Sequence, residues 1–95
     1  MAGYTERKGE VQTRLRRIEG QVRGVQRMVD EDAYCIDVLT QVAAVQTALE
    51  HVAVEVLDAH VRTCVADALA SDQDGEGEAK LDELMAAVRR FTKAR

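Results

Sequence analysis

Val11, Leu15, Ile18, Val22, Val25 and Val29 follow one another at steps of four and three in alternation, a spacing that gathers all six on one stripe of an α-helix. The chain contains no proline, the residue that most abruptly ends such a pattern. The periodicity predicts an amphipathic helix over residues 5–30. Its start falls between Thr5 and Val11, because Thr5 followed by Lys8 is only a partial capping box. Asp30-Glu31-Asp32 closes it and offers N-cap candidates for the next helix.

That next helix is predicted as one unbroken run over residues 33–70, and it carries two neighbouring apolar stripes. One holds Val38, Val42, Val45, Leu49, Val52 and Val56; the other holds Cys35, Leu39, Val42, Gln46, Leu49, Ala53, Val56 and His60. Together they make a face broad enough to meet both the first helix and a second copy of the chain. Residues 71–78, acidic and glycine-rich, read as an exposed loop. A third helix over 79–92 presents Leu81, Leu84, Met85, Val88 and Phe91 and ends in a basic cluster that suits its C-terminus. The expected fold class is all-α, a three-helix protomer in a single domain over 1–95.

Aromatic residues make up only 3% of a chain that is 46% hydrophobic, so few side chains can anchor a deep monomeric core. Ala, Val and Leu suit helices packed closely on other helices, and the chain is expected to be an obligate oligomer. No apolar run reaches the roughly 18 residues of a membrane span and the N-terminus lacks a signal-peptide core, so a cytoplasmic protein with no membrane partner is expected. Two cysteines in that setting are expected as reduced thiols.

His60 and Cys64 lie four residues apart on the predicted second helix and so share a face, as a ligand pair does. Cys35 lies on the order of 37 Å away at the helical rise, which no single chain closes and no intrachain disulfide spans. An antiparallel copy of the helix does close it. Two-fold pairing centred near Leu49 sets Cys35 of one protomer opposite residues 60–64 of the other, predicting two symmetric Cys, His, Cys sites per dimer. Two thiolates and an imidazole form a soft set that favours Cu(I) or Zn(II). Three protein ligands suit Cu(I) better than a structural zinc, which is almost always four-coordinate. Tyr34, beside Cys35, is equally an interfacial residue or a support for the site. Glu83 is a candidate acceptor for the free N–H of a metal-bound His60, or a solvated helix residue. His51 has no partner at ligand spacing and reads as an ordinary surface or interface histidine.

The net charge of −4 conceals an asymmetry: residues 1–29 hold seven Lys or Arg against three Glu, whereas residues 30–95 hold six against fourteen acids. Arg14, Arg16, Arg17, Arg23 and Arg27, with Lys8 and Arg7 before them, form a basic run on the first helix. A solvated helix face is the plain explanation. Arginine in preference to lysine points instead to phosphate, which the guanidinium fork matches, and so to DNA. Gln12 and Gln21 could add hydrogen bonds. Nothing has the spacing of a zinc finger or a tight helix-turn-helix, and no nucleophile with a paired base argues for an enzyme.

The segments Arg14-Leu-Arg-Arg-Ile-Glu-Gly-Gln-Val-Arg-Gly-Val-Gln-Arg-Met-Val, Asp32-Ala-Tyr-Cys-Ile-Asp-Val-Leu and His60-Val-Arg-Thr-Cys closely resemble the copper-sensitive operon repressors, the CsoR type of the CsoR/RcnR family. The resemblance runs from about Thr13 to Phe91. It implies an antiparallel four-helix-bundle dimer, two dimers to a tetramer, and a Cu(I)-responsive repressor that leaves its operator when copper binds. It also implies Cys35 of one protomer with His60 and Cys64 of the other as copper ligands, supported by Tyr34 and Glu83, with Glu78 the competing position for the last. A nickel or cobalt sensor of this type would carry a histidine near the N-terminus and another in place of Cys64. A persulfide sensor would lack His60, and a formaldehyde sensor would usually lack Cys64 and carry an N-terminal proline. From the residues alone, two other functions stay open: a thiol-based sensor using Cys35 of one protomer and Cys64 of the other as a redox pair, and a copper buffer with no role on DNA.

Overall fold

The structure is a computed structural model that describes residues 2–71 and 75–93. Among these there is no strand: a 3₁₀ turn at Thr5–Arg7 leads into α1 (Lys8–Asp30), followed by α2 (Cys35–His60), a π-helical turn (Val61–Val65), α3 (Ala66–Ser71) and α4 (Glu76–Lys93). No helix among the described residues is long and apolar enough to cross a membrane. The chain forms two compact units, Tyr4–Leu57 and the remainder, Met1–Gly3 with Asp58–Arg95.

In the first unit α1 runs as the periodicity requires, and its stripe buries Val11 and Ile18. Each such side chain removed from water contributes roughly 1.5–3 kcal/mol before the entropy of ordering it. The two stripes of α2 are unevenly covered. Val38, Val45, Val52 and Val56 are half-buried, whereas Leu39 and Leu49 keep 61% and 46% of their surface and Ile36, Val42 and Val54 are also exposed. Both stripes are therefore part covered and part open, with Val42 and Leu49, which they share, among the exposed residues. An ion pair ties the helices together, with Arg14 Nε 2.9 Å from Glu55 Oε2.

The junction between α1 and α2 departs from the expected capping. Asp32 takes a φ of 57°, the left-handed conformation usually reserved for glycine. The Ala33 N–H donates to the Met28 carbonyl at 2.9 Å and the Asp32 N–H to the Val29 carbonyl at 3.1 Å, the paired bonds of a Schellman motif that satisfy the carbonyls at the end of α1. Asp32 therefore ends one helix instead of capping the next. The first carbonyl of α2 is that of Tyr34, which accepts from the Val38 N–H at 3.1 Å, and α2 starts at Cys35, two residues later than the sequence suggested.

In the second unit the end of α2, the π turn, α3 and α4 pack around Ala59, Val65 and Ala68, small or branched residues that let backbones approach. Leu84 and Val88 of α4 are half-buried; Leu81, Met85 and Phe91 remain exposed. The expected loop is shorter than 71–78 at both ends. Ser71 closes α3, with its Oγ donating to the Asp67 carbonyl at 2.9 Å, and α4 begins at Glu76. Gly75, at φ 75°, turns the chain into α4, and Glu76 and Glu78 then occupy its first turn, where carboxylates favour the positive end of the helix dipole. The acidic composition that suggested loop is instead helix-starting. Residues 72–74 lie outside the described residues.

Candidate metal centre and basic face

The second helix also departs from uniformity at the two candidate ligands His60 and Cys64. His60 is the last residue of α2, with φ −63° and ψ −46°, and Cys64 lies inside the π turn Val61–Val65. Three of the five residues in that turn, Val61, Thr63 and Val65, are β-branched and lose side-chain freedom in a regular α-helix. Single π turns inside α-helices are rare and frequently mark functional sites. Arg62, within the turn, donates from its Nε to the two carboxylate oxygens of Asp58 at 2.9 and 3.1 Å. His60 and Cys64 are both half-buried, and Cys64 is a free thiol.

The N-terminal segment adds a wall that sequence reasoning missed. A Cβ on Gly3 would stand 2.9 Å from the His60 Cα, 3.0 Å from the Ala59 carbonyl oxygen and 3.2 Å from the Cys64 Sγ. Glycine at position 3 is the only signal of this in the sequence, and it carries no periodicity.

Cys35 is the first residue of α2, a free and exposed thiol, preceded by Tyr34 at 68% exposure. Glu83 lies exposed on α4 in the same compact unit as His60, and Glu78 is exposed in the first turn of that helix. His51 is exposed in the middle of α2. Among the described residues no three of His, Cys, Asp and Glu converge as a ligand set in the single chain. One chain presents His60 at the end of α2, Cys64 in the π turn that follows, and a separate exposed thiol at the start of α2.

On α1, Arg16, Arg23 and Arg27 fall within an arc of about 40° on the helical wheel, and all three are exposed, as are Lys8 and Arg17. Arg14 is set apart from this arc by its pairing with Glu55, whose side chain is 12% exposed and whose Oε2 makes no hydrogen bond. A shallow groove of about 460 Å³ on the N-terminal half of α1 is lined by Gly9, Glu10, Thr13, Arg14 and Arg17. The pairing of Arg14 with Glu55 was not legible from a run of arginines. Its partner Glu55, 41 residues away and one of 17 acids, gave no local cue.

A helical chain with a soft thiol and imidazole pair at the end of one helix and an arginine face on another has the parts of a metal-responsive regulator of nucleic acid. The chain belongs to the metal-sensitive transcriptional repressor family, whose model matches residues 7–90. It is 47% identical over 90 residues to the copper-sensing transcriptional repressor CsoR of Bacillus subtilis, covering 95% of this chain and 86% of that one. It is 50% identical over 92 residues to the copper-sensing transcriptional repressor RicR of Mycobacterium tuberculosis, covering 97% and 95%. Its fold is similar to that of the copper-sensing repressor CsoR with Cu(I) from Geobacillus thermodenitrificans, with a TM-score of 0.84 and 46% identity over 92% of this chain and 88% of that one. It is also similar to the nickel-responsive transcriptional regulator InrS, with a TM-score of 0.73 and 46% identity over 87% and 90%.

Proposed function

We propose that this chain is a Cu(I)-responsive transcriptional repressor that holds operator DNA in its metal-free form and releases it when Cu(I) binds, so that genes for copper resistance or efflux are expressed. The observation that supports the reading is that His60 ends α2 and Cys64, four residues on, is a half-buried free thiol in the π turn that follows, with a third soft donor, Cys35, exposed at the far terminus of the same helix. The donor set fits the ion: thiolates and an imidazole are what a soft, low-coordinate cation takes, and a single chain falls one thiolate short. The identity to proteins named for copper sensing supports the choice of metal.

Two-fold pairing of α2 along its exposed apolar residues supplies the missing donor. Leu39, Val42 and Leu49 are apolar and open to water, a face that a second copy covers at a gain. In antiparallel register this pairing brings the Cys35 of one protomer to the His60 and Cys64 of its partner. Tyr34 and Glu83 then orient the donors, the latter by accepting the free imidazole N–H of His60. Two dimers make the tetramer. Lys8, Arg16, Arg17, Arg23 and Arg27 contact phosphates, and each contact adds to the salt dependence of binding.

For a strong switch the metal must favour the low-affinity form by several kcal/mol, and moving a population from 1:99 to 99:1 requires about 5.5 kcal/mol. Linkage then requires DNA to weaken Cu(I) binding by the same factor. The test is an anaerobic titration of the reduced protein with Cu(I), and with Ni(II) alongside, followed by fluorescence anisotropy on DNA from around its own gene. One Cu(I) per protomer with loss of DNA binding is the expected result. Tight Cu(I) binding that leaves DNA affinity unchanged refutes the repressor reading and leaves a buffer. Release by Ni(II) and not Cu(I) refutes the choice of metal.

A further inference from the structure

Three glycines, Gly9, Gly20 and Gly24, stand in α1, although glycine is among the poorest residues for the interior of a helix. Nothing inside the chain calls for them. A Cβ built on any of the three meets no atom within 4 Å, so none makes room for a neighbouring element. None has a positive φ, which among the described glycines belongs to Gly75. What sets Gly20 apart is its place among charges. On the helical wheel it lies about 20°, 40° and 60° from Arg27, Arg16 and Arg23. Along the axis it follows Arg16 by about 6 Å and precedes Arg23 and Arg27 by about 4.5 and 10.5 Å. Gly20 and the three arginines are exposed, on the side of α1 opposite its buried residues Val11 and Ile18.

We infer that Gly20 is a positioning residue of the DNA-binding face: a recess beside Arg16, Arg23 and Arg27, it lets the sugar-phosphate backbone of a duplex lie close against α1 while the three guanidinium groups reach the phosphates around it. The inference rests on the operator-binding reading above and deepens it. Cα atoms lie about 2.3 Å from a helix axis and side chains carry the surface to about 5–6 Å, so a glycine lowers that surface locally by roughly 3 Å. That is about the length of one hydrogen bond. A helix raised by as much turns direct arginine-phosphate bonds into water-bridged ones, and the bidentate geometry of the guanidinium fork is lost. The charge around the recess selects its occupant. A second α1 brought against this face would set arginine against arginine, whereas a polyanion is drawn to it. Close approach of a ligand to the helix backbone is a use that the absence of a Cβ serves.

The experiment compares the reduced, metal-free full chain with Gly20→Ala, Gly20→Leu and Gln26→Leu, the last at an exposed position about 80° from Arg16 on the other side of the arc. Fluorescence anisotropy on DNA from around the chain's own gene, at several salt concentrations, is set beside thermal unfolding and sedimentation equilibrium. Both replacements of Gly20 favour the helix and meet open space, so Gly20→Ala is expected to raise Tm by roughly 4 °C. DNA affinity is expected to move the opposite way, falling about threefold in Gly20→Ala and about thirtyfold in Gly20→Leu, with a shallower slope of log affinity against log salt. Gln26→Leu is expected to bind within about twofold of wild type, and oligomer size to stay the same in every variant. Wild-type DNA affinity in Gly20→Leu, or an equal loss in Gln26→Leu, would overturn the inference. Equal losses in Gly20→Ala and Gly20→Leu would trace the effect to helix stiffness and overturn it too. A loss of DNA affinity that comes with a change in oligomer size would give the recess to a second copy of the chain, against the inference. A wild-type chain that binds no DNA would instead refute the operator reading itself, a result visible before any variant is compared.

Discussion

Replacing Arg14 by alanine separates the two roles open to an arginine on α1. Its Nε lies 2.9 Å from Glu55 Oε2, on a side chain only 12% exposed, and that oxygen makes no hydrogen bond. Removal of the guanidinium leaves a mostly buried carboxylate with its charge uncompensated. A fully buried pair broken in this way costs about 3–5 kcal/mol, and an exposed pair is worth about 0.2–1 kcal/mol. The Arg14 side chain is itself 50% exposed, so solvent screens part of the attraction and the expected loss lies between, at about 1–3 kcal/mol. For a chain of this size each kcal/mol lowers Tm by about 4–8 °C. The assay is thermal or urea unfolding at one fixed protein concentration, since oligomer stability varies with concentration. Arg14→Ala with Glu55→Gln should recover part of the loss, because the orphaned charge goes with it. On DNA, Arg14→Ala should keep the wild-type slope of log affinity against log salt. Arg16→Ala or Arg17→Ala should each reduce that slope by about 0.9 for every phosphate no longer neutralised. Unchanged stability with a reduced salt slope in Arg14→Ala would refute the argument and return Arg14 to the DNA surface.

Cys35→Ala and Cys64→Ala should each retain operator binding and lose release by Cu(I); anisotropy with and without metal checks this, and loss of DNA binding would mark a merely structural cysteine. His60→Ala should keep some Cu(I) affinity through the thiolates yet uncouple it from release, so full regulation in that variant would remove His60 from the switch. Asp32→Gly should stabilise the chain by about 0.5–1 kcal/mol, since glycine meets no Cβ penalty at φ 57°, and Asp32→Val should destabilise it by more; urea unfolding distinguishes the two. Leu49→Glu, on the open part of the α2 face, should shift the protein toward monomer in sedimentation equilibrium while leaving helix content per chain largely intact, and an unchanged oligomer would move the interface elsewhere.

Helices were legible wherever side-chain burial repeats with the helical period. The stripe of α1 states that period almost without error, and the two stripes of α2 mark a broad apolar face that the chain itself covers only in part. His60 and Cys64 could be singled out as ligand candidates because their chemistry is rare and their spacing regular. What escaped the sequence is local geometry that no period encodes. The left-handed Asp32 depends on two backbone bonds at the end of α1, and aspartate reads equally well as a cap for the next helix. The π turn at Val61–Val65, which follows His60 and holds Cys64, widens the helix where no period in the sequence marks it. Gly3 and the Glu55 partner of Arg14 are contacts between distant positions, for which one sequence holds no marker.

On the copper reading, the donors occupy the two termini of α2, so closing a site with a second chain fixes the register of two antiparallel α2 helices against each other. A change in that register acts along the whole helix, because an α-helix transmits axial displacement with little internal give. Glu55 sits on α2 five residues before His60, and its pairing with Arg14 fastens α1 to the element that would move. Arg16, Arg23 and Arg27 ride on that same α1, and their match to the spacing of DNA phosphates is sensitive to its position. Arg14→Ala thus has a second expected effect beyond stability. With the tie removed, Cu(I) should bind as before but lower DNA affinity by a smaller factor, and by reciprocity DNA should weaken Cu(I) binding by the same smaller factor. A wild-type coupling factor in Arg14→Ala would show that the path from metal to DNA does not run through the Glu55 contact.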